Sequence, residues 1–412
     1  MKIESPAVLE TIFSLKRNFA RGPAAPERVF SGVEIAPFKD NARAAVCISG
    51  DFEMSWAWRG RDARATAHRA STERANVPFI LDLLERYSIP VTWATVGHLF
   101  LESCQRSGAG VAHDDMPRPK FNDRWDGDWY AHDPCSNGDA DPLWYAPDLV
   151  RRILECGAPQ EIGTHTFSHI NFSAERSTPA LVRAEIEACI HAMAPFGVQP
   201  RSLVFPHNIA EYSYLPLLAE LGITSVRHRD ESVRLAYPER TASGVYRIYE
   251  SMNLRASRRY DYVAKARIFL KKAMERQAVY ALWFHPSDSL EVFDTQFRGI
   301  LRYIDAERRD GKLWVTTMRD LAAYCYEREQ LGLQVTRNEN MITVHLQRST
   351  HLSPGGAEIT LATNVESPPR MVEVEAADGS RNEIAVRLHP SEKGRQVSVT
   401  APASSRSVRL IF

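Results

Sequence analysis

The order of apolar and polar residues predicts strands alternating with helices from about residue 44 to residue 325. Short apolar runs, suited to strands buried in a parallel sheet, recur through this region. They cover residues 44–48, 90–96, 202–205, 223–226, 279–284 and 313–316. Repeated strand–helix units imply parallel strands covered by helices, and therefore an α/β sheet or barrel.

Helical spacing of apolar residues lies between these runs. Asn76 is a suitable N-cap for a helix that has Pro78 in its first turn. Thr178 opens a second helix that ends near Gly197, and a third covers residues 214–221. These helices fit the connections of a parallel sheet.

Two segments interrupt the alternation. Residues 101–147 are rich in Trp, Pro, Asp and Gly and show little periodicity, which is more typical of a functional loop than of a plain connector. After residue 331 the pattern becomes short alternating strands, at residues 341–346, 359–361 and 397–399. We therefore predict a β-sandwich-like module over residues 331–412. Residues 41–330 would form the barrel, and residues 1–40 a mostly irregular lead-in.

Composition excludes several classes of protein. The 412 residues contain 51 Lys+Arg and 51 Asp+Glu, so no basic footprint for nucleic acid is present. No apolar run is long enough to span a membrane. Charge interrupts residues 1–18, which lack the apolar core of a signal peptide. The six scattered cysteines suit reduced thiols. We expect a cytoplasmic protein, and homo-oligomer formation stays open.

Asp51 and Glu53 stand two positions apart just after the first apolar run. If the strand continues, both side chains point the same way and emerge at its carboxyl end, where α/β folds place active sites. Taken alone, this pair is more typical of an acidic surface turn. His165 and His169 follow a strand-like run, and histidines four apart on a helical turn reach one ion. Taken alone, they are more typical of loop histidines.

Two further residues lie beside predicted strands. His285 directly follows the run at 279–284, and Arg201, which precedes another run, is able to orient a carboxylate through paired hydrogen bonds. Each is unremarkable by itself. Together, four polar clusters lie at the ends of separate strands, and two histidines with one carboxylate match the ligand count of catalytic zinc.

Asp51 with Glu53, His165-Thr-Phe-Ser-His169, Arg201 with the proline five positions later, and His285 together resemble the polysaccharide deacetylase (NodB-homology, carbohydrate esterase) family. The resemblance covers roughly residues 44–325 and suggests an atypical, cytoplasmic member. It implies a distorted (β/α) barrel, a divalent metal ion, commonly Zn²⁺, and hydrolysis of an N-acyl group from an amino sugar.

By this resemblance, Asp51 would be the general base and His285 the acid that protonates the leaving amine. Glu53, His165 and His169 would be metal ligands, and Arg201 would steady Asp51. The family's usual adjacent aspartates are replaced here by Asp51-Phe52-Glu53, so the base and the ligand are interchangeable at this stage. Asp230 and Asp288 are both candidates for the acid that tunes His285.

The insertion at 101–147 offers a lid for the sugar. Trp129 and Tyr130, with Trp125 and Asp128 beside them, would line it, since aromatic faces pack on sugar C–H surfaces. A lid packed mainly on itself is an equal alternative. His207 and Asn208 are expected near the mouth of the pocket.

These observations lead to one functional hypothesis and two rivals. The hypothesis is a metal-dependent hydrolase that removes acetyl or formyl from a nucleotide-linked, lipid-linked or glycan amino sugar during surface-polysaccharide or O-antigen synthesis. The first rival hydrolyses a non-sugar amide in the same barrel. The second is an inactive, sugar-binding barrel. For the β module, packing or dimerisation is favoured over carbohydrate binding.

Overall fold

A computed structural model describes residues 20–256, 261–348, 356–391 and 394–412. Residues 1–18, on which the signal-peptide prediction rests, lie outside these ranges. Among the helices of the described ranges, none combines the length and the apolar character that crossing a bilayer requires.

Strands of the described ranges are numbered in chain order. Their bounds are β1 Val29–Phe30, β2 Val33–Ile35, β3 Ala44–Phe52, β4 Thr92–Thr95, β5 Glu161–Thr164, β6 Ser202–Leu203, β7 Ser225–His228, β8 Glu239–Arg240, β9 Tyr246–Tyr249, β10 Met252–Leu254, β11 Val279–Phe284, β12 Leu313–Thr316, β13 Leu331–Asn338, β14 Met341–Arg348, β15 Glu358–Val365, β16 Met371–Glu375, β17 Arg381–Glu383, β18 Arg387–Ser391, β19 Gly394–Pro402 and β20 Ser407–Ile411.

Helices of the same ranges are numbered in the same way. The α-helices are α1 Ser55–Trp58, α2 Ala63–Arg86, α3 Pro147–Leu154, α4 Pro179–Met193, α5 Leu215–Glu220, α6 Tyr262–Arg276, α7 Arg298–Arg309 and α8 Met318–Gln330. Short 3₁₀ turns cover Lys39–Asn41, Gly97–Phe100, Ala194–Phe196, Pro206–Asn208 and Tyr212–Tyr214, and a π-helical turn at Val292–Phe297 leads into α7.

The largest sheet is a curled half-barrel. Its strands lie in the order β10-β11-β3-β4-β5-β6-β7-β9-β8, and only β8 runs antiparallel to its neighbour. All nine residues of β3 are buried, as expected for a central strand covered on both faces. The predicted α/β barrel is therefore confirmed.

The central strand β3 shares one of its edges between two partners. Along one edge it pairs with β11. On the other edge, β12 pairs with residues 44–47 and β4 with residues 49–52. This split distorts the barrel and leaves the end of β3, which carries Asp51, between β11 and β4.

The C-terminal module consists of two antiparallel five-stranded sheets, ordered β1-β2-β15-β19-β18 and β13-β14-β20-β16-β17. Apolar residues of both sheets, such as Ile359 and Val399 of the first and Val344 and Val408 of the second, share one buried core. The predicted all-β module is confirmed, while its boundary at residues 330–331 stays a prediction.

The lead-in is less irregular than predicted, because β1 and β2 belong to the first sheet of the sandwich. β2 pairs with β15, and Arg328 of α8 donates a hydrogen bond from Nε to the Ile35 carbonyl at 3.0 Å. The lead-in residues 29–35 therefore complete the C-terminal module.

The helix predicted to begin near Asn76 begins earlier. Helix α2 starts at Ala63, and the side chain of Asp62 caps it by accepting the backbone N–H of Ala65. Pro78 lies inside the helix, and the Asn76 amide instead donates to the carbonyls of Pro286 and Asp288. Proline tolerates an early position in a helix better than an interior one, so the sequence favoured a later start.

Candidate active site

The carboxyl ends of neighbouring strands bring the candidate site residues to one edge of the half-barrel. Asp51 lies near the end of β3, and Glu53 directly follows that strand. His165 directly follows β5, and His285 directly follows β11. Because parallel strands all end at the same edge of their sheet, residues separated by more than a hundred positions meet there.

Glu53, His165 and His169 converge on one point. Glu53 Oε1 lies 3.0 Å from His165 Nε2 and 3.1 Å from His169 Nε2, and all three side chains are buried. The sequence suggested that the two histidines lie on a helical turn, but the structure has no helix there. Thr166 and His169 adopt left-handed backbone conformations, with φ of 62° and 56°, and these turns direct both imidazoles toward Glu53.

The hydrogen bond on the far side of His165 suits a cation in this cluster. Its Nδ1 lies 2.7 Å from the Val204 carbonyl, which only accepts, so Nδ1 carries a proton and Nε2 is the nitrogen that would offer a lone pair to a metal ion. That lone pair faces a carboxylate oxygen, which is favourable when a cation lies between them. Two imidazole nitrogens and one carboxylate are the ligand set of many catalytic zinc sites, so the residues fit such an ion.

Charges around the cluster favour the ligand forms of its members. Burial acts to raise the pKa of Glu53, but the charges of His169 and His285 and the histidine hydrogen bonds hold it well below its usual range. Burial also holds the pKa of His169 well below its ordinary value, against the opposing effect of Glu53. Both directions favour the forms that bind a metal ion, a carboxylate at Glu53 and an unprotonated imidazole at His169.

Arg227 orients Asp51. Its Nη1 and Nη2 each lie 2.6 Å from one of the two Asp51 carboxylate oxygens, and both side chains are almost fully buried. Nη2 also donates to Asn208 Oδ1 at 3.1 Å. The guanidinium packs over the Trp283 ring at 4.3 Å. Two parallel hydrogen bonds fix the plane of the Asp51 carboxylate.

The prediction that Arg201 steadies Asp51 is wrong. Its guanidinium donates to the Gly222 carbonyl at 3.2 Å and to Gln199 Oε1 at 2.8 Å. Arg201 precedes β6, so it lies at the amino end of the sheet, whereas the site lies at the carboxyl end. The available signal for Arg227 was its position directly after the predicted run at residues 223–226, which the structure extends to His228.

His285 lies at the rim of the cluster. Its Nε2 is 3.9 Å from Glu53 Oε2, and 29% of its side chain is exposed, so it is open to a substrate. Of the two candidate partners, Asp288 interacts electrostatically with His285, although burial raises the pKa of Asp288. Asp230 instead accepts hydrogen bonds from the backbone and side chain of Ser232.

His207 and Asn208 lie at the edge of the site, where His207 is exposed and Asn208 is half-buried. Both adopt left-handed backbone conformations, with φ of 61° and 55°. The His207 ring centroid is 4.7 Å from that of His169, and burial lowers the pKa of His207 to about 4. Asn208 supports Arg227 through the hydrogen bond described above, which makes its role one of positioning.

Trp129 and Tyr130 occupy different environments. Trp129 lines a small pocket of about 170 Å³ together with His207 and Arg124, and its indole N–H donates to Ser168 Oγ at 2.8 Å. Tyr130 is fully buried, with its hydroxyl 3.3 Å from Glu185 Oε1. The prediction that Tyr130 contacts substrate is therefore wrong, because its side chain packs in the interior.

Two residues of the site escaped the sequence analysis. Glu73 of α2 accepts the Glu53 backbone N–H at 2.7 Å, and burial with the nearby charge of Glu53 raises its pKa well above its usual range. Arg124 donates from Nη2 to the Ala57 carbonyl, while its buried Nη1 has no hydrogen-bond partner among the described residues. Neither residue lies in a recognisable spacing motif.

Comparison with known proteins connects this geometry to one family. Residues 69–226 match the family model described as polysaccharide deacetylase. That range contains His165 and His169, while Asp51, Glu53, Arg227 and His285 lie outside it. Nothing among curated proteins matches the sequence.

Two solved structures are similar in fold. One, from Mycobacterium smegmatis and described as a polysaccharide deacetylase, shares 17% identity over 78% of this chain and 100% of its own, with a TM-score of 0.53. The other, from Pseudomonas aeruginosa and described in the same way, shares 13% identity over 71% of this chain and 94% of its own, with a TM-score of 0.50. At these identities the likeness concerns the fold alone.

Proposed function

We propose that this chain, whose residues 69–226 match the polysaccharide deacetylase family model, is a hydrolase of carbon–nitrogen bonds other than peptide bonds that removes an acetyl or formyl group from the nitrogen of an amino sugar. One observation carries the proposal. The cluster of Glu53, His165 and His169 lies beside both Asp51 and His285 at one edge of the sheet.

Glu53, His165 and His169 would hold a divalent metal ion, with zinc favoured by the two imidazole ligands. When bound, such an ion polarises the scissile carbonyl and makes water more acidic. The Val204 carbonyl holds a proton on Nδ1 of His165, so Nε2 is the nitrogen that would bind the ion.

Asp51 and His285 would perform the proton transfers. Asp51, held in plane by Arg227, takes a proton from the attacking water, and His285 at the exposed rim gives a proton to the leaving amine. This assigns Glu53 as the ligand and Asp51 as the base, because Glu53 faces both histidines while Asp51 is engaged by Arg227. A sugar-binding barrel without activity would need neither the acid nor the base.

The pocket beside His207 favours a sugar that carries a negative charge. Trp129 and Arg124 both line this space, the first with an aromatic ring and the second with a guanidinium. Arg176 also lines the pocket, but its two terminal nitrogens are engaged by Asp123. A phosphate-linked precursor of a surface polysaccharide or O-antigen, handled in the cytoplasm, would match Arg124.

Metal analysis with a deacylation assay tests the proposal. Purified wild type is compared with a His165→Ala, His169→Ala double variant and with His68→Ala, an exposed histidine of α2, as control. We expect the double variant to lose one equivalent of metal and to stop releasing acetate or formate from N-acyl amino sugars, while His68→Ala keeps both. Equal metal content and equal activity in all three proteins would refute the assignment.

A further inference from the structure

A second group of metal-ligating side chains lies outside the candidate active site. His98, in the turn after β4, meets Cys104, His113 and Asp133 of the insertion, and one donor atom from each lies within 4.8 Å of all the others. We propose that these four residues form a structural zinc site that fixes the insertion to the barrel. This inference is independent of the proposed function.

The two histidine nitrogens and the cysteine sulfur all lie close to one oxygen of Asp133. Asp133 Oδ2 lies 3.1 Å from His98 Nε2, 2.8 Å from His113 Nε2 and 3.5 Å from Cys104 Sγ. His98 and Asp133 are fully buried, and only 12% of the His113 side chain is exposed. A single small ion between these atoms would engage all four side chains.

The arrangement repeats that of the candidate active site. There, one oxygen of Glu53 faces the Nε2 atoms of two histidines at nearly the same distances. The second cluster adds a fourth donor, the sulfur of Cys104. Four protein ligands close a tetrahedral zinc site and suit a structural role, whereas catalytic sites keep one position open for water.

His98 supplies a separate sign of a missing partner. Both of its ring nitrogens are buried, and neither makes a well-formed hydrogen bond with a described residue, although Asp133 and the Trp144 backbone lie close to the ring. An unpaired polar group in the interior is costly. Neighbouring rings hold the imidazole in place, with centroids 4.3 Å away at Trp56 and 5.0 Å away at Tyr145. A bound ion would give Nε2 its partner.

The remaining contacts of Asp133 and Cys104 suit metal ligands. Asp133 Oδ1 accepts the backbone N–H of Cys135 at 2.9 Å and the Tyr145 hydroxyl at 3.2 Å, which leaves Oδ2 for the ion. The same hydroxyl lies 3.1 Å from Cys104 Sγ.

Such an ion would act on the loop that carries the active-site histidines. The backbone N–H of His98 donates to the Phe167 carbonyl at 3.1 Å, and Phe167 lies between His165 and His169. A cleft of about 630 Å³, lined in part by Cys104 and His113, offers an entry path. The second site would thus clamp the insertion against this loop.

Metal counting separates the two sites. Wild type, purified with reductant and without chelator and then loaded with zinc, is expected to hold two equivalents. Cys104→Ser and His113→Ala should each lose one equivalent, and the His165→Ala, His169→Ala variant should lose the other. Cys156→Ser, which removes a half-buried thiol from the surface of the barrel, is the control and should lose none.

Cobalt substitution tests for the thiolate ligand in wild type, so this part of the test does not depend on whether a variant folds. Cobalt-loaded wild type should show a thiolate-to-cobalt charge-transfer band in the near ultraviolet. The band should persist in the His165→Ala, His169→Ala variant and be absent in Cys104→Ser. Wild type that binds cobalt without this band, or that binds no metal beyond the equivalent removed by the active-site variant, overturns the inference and leaves the proposed function intact.

Discussion

Arg227 donates two hydrogen bonds of 2.6 Å to Asp51, each from one terminal nitrogen to one carboxylate oxygen. Ser49 of the same strand as Asp51 and Asn208 accept further hydrogen bonds from this guanidinium. The base proposed for the reaction is therefore fixed by a residue of β7, which lies four positions from β3 in the sheet. The orientation of Asp51 depends on the packing of the whole half-barrel.

Replacing Arg227 by lysine should impair the enzyme more than replacing Arg201. Arg227→Lys keeps the charge but loses the forked contact, so we expect kcat to fall by about 10²-fold, since a positioned base contributes roughly 10²–10⁴-fold. Arg201→Lys should leave kcat unchanged. Steady-state kinetics on one N-acyl amino sugar measures both. A larger loss from Arg201→Lys would show that Arg201 acts on the reaction.

Conservative changes at Asp51 and Glu53 should separate the base from the ligand. Asp51→Asn should retain its metal but lose about 10²-fold or more in kcat, because the amide accepts no proton. Glu53→Gln should lose metal affinity by at least about 10-fold, because a neutral amide is a weaker ligand than a carboxylate. Metal titration and steady-state kinetics on both variants measure these effects. Loss of metal affinity in Asp51→Asn, with metal affinity kept in Glu53→Gln, would exchange the two roles.

Arg124 should discriminate charged from uncharged substrates. A charge-assisted hydrogen bond contributes about 1.5–3 kcal/mol, so Arg124→Gln should raise KM for a phosphate-linked amino sugar by roughly 10–100-fold. An uncharged N-acyl amino sugar should be affected little. Arg176→Gln is the matched control, since Arg176 is already paired with Asp123. An equal rise in KM for both substrates would argue against a bound phosphate.

Glu161, buried at the start of β5, should make the stability of the fold depend on pH. Burial raises its pKa, although Ser202 Oγ and Thr92 Oγ1 donate hydrogen bonds to it. A raised folded-state pKa stabilises the protein below the unfolded pKa of about 4.3, and this contribution is lost as pH rises through the folded value. The stability of the Glu161→Gln variant, relative to that of wild type, should therefore increase as pH rises.

Thermal unfolding from about pH 4 to about pH 8 tests this expectation. The Tm difference, variant minus wild type, should increase with pH. Glu231→Gln, at a side chain that is 87% exposed, controls for the change in net charge. A Tm difference for Glu161→Gln that stays constant across the range would contradict the prediction.

The sequence predicted the parts of the fold that depend on local pattern. The strands Val279–Phe284 and Leu313–Thr316 agree residue for residue with the apolar runs. The meeting of Glu53 with His165 and His169 followed from one rule, that parallel strands end at a common edge. Periodicity and strand direction were sufficient for these features.

Other features required three-dimensional information. Arg201 and Arg227 both adjoin strands, and only the direction of each strand shows which arginine reaches Asp51. The start of α2 was missed because its first residues are mostly small or charged. The tetrad that includes Cys104 and Asp133 lies in a segment without periodicity or ligand spacing, so no sequence pattern indicated it.

The pairing of the lead-in with the sandwich has a consequence for the order in which the protein folds during synthesis. Thr363 Oγ1 donates to the Gly32 carbonyl, 331 positions earlier in the chain. At about 5–20 residues per second, a ribosome would release the partner of β2 roughly 15–65 s after β2 itself. The nascent chain thus carries the β1–β2 pair with one edge of β2 open through most of its elongation, and the half-barrel is free to form before β15 covers that edge.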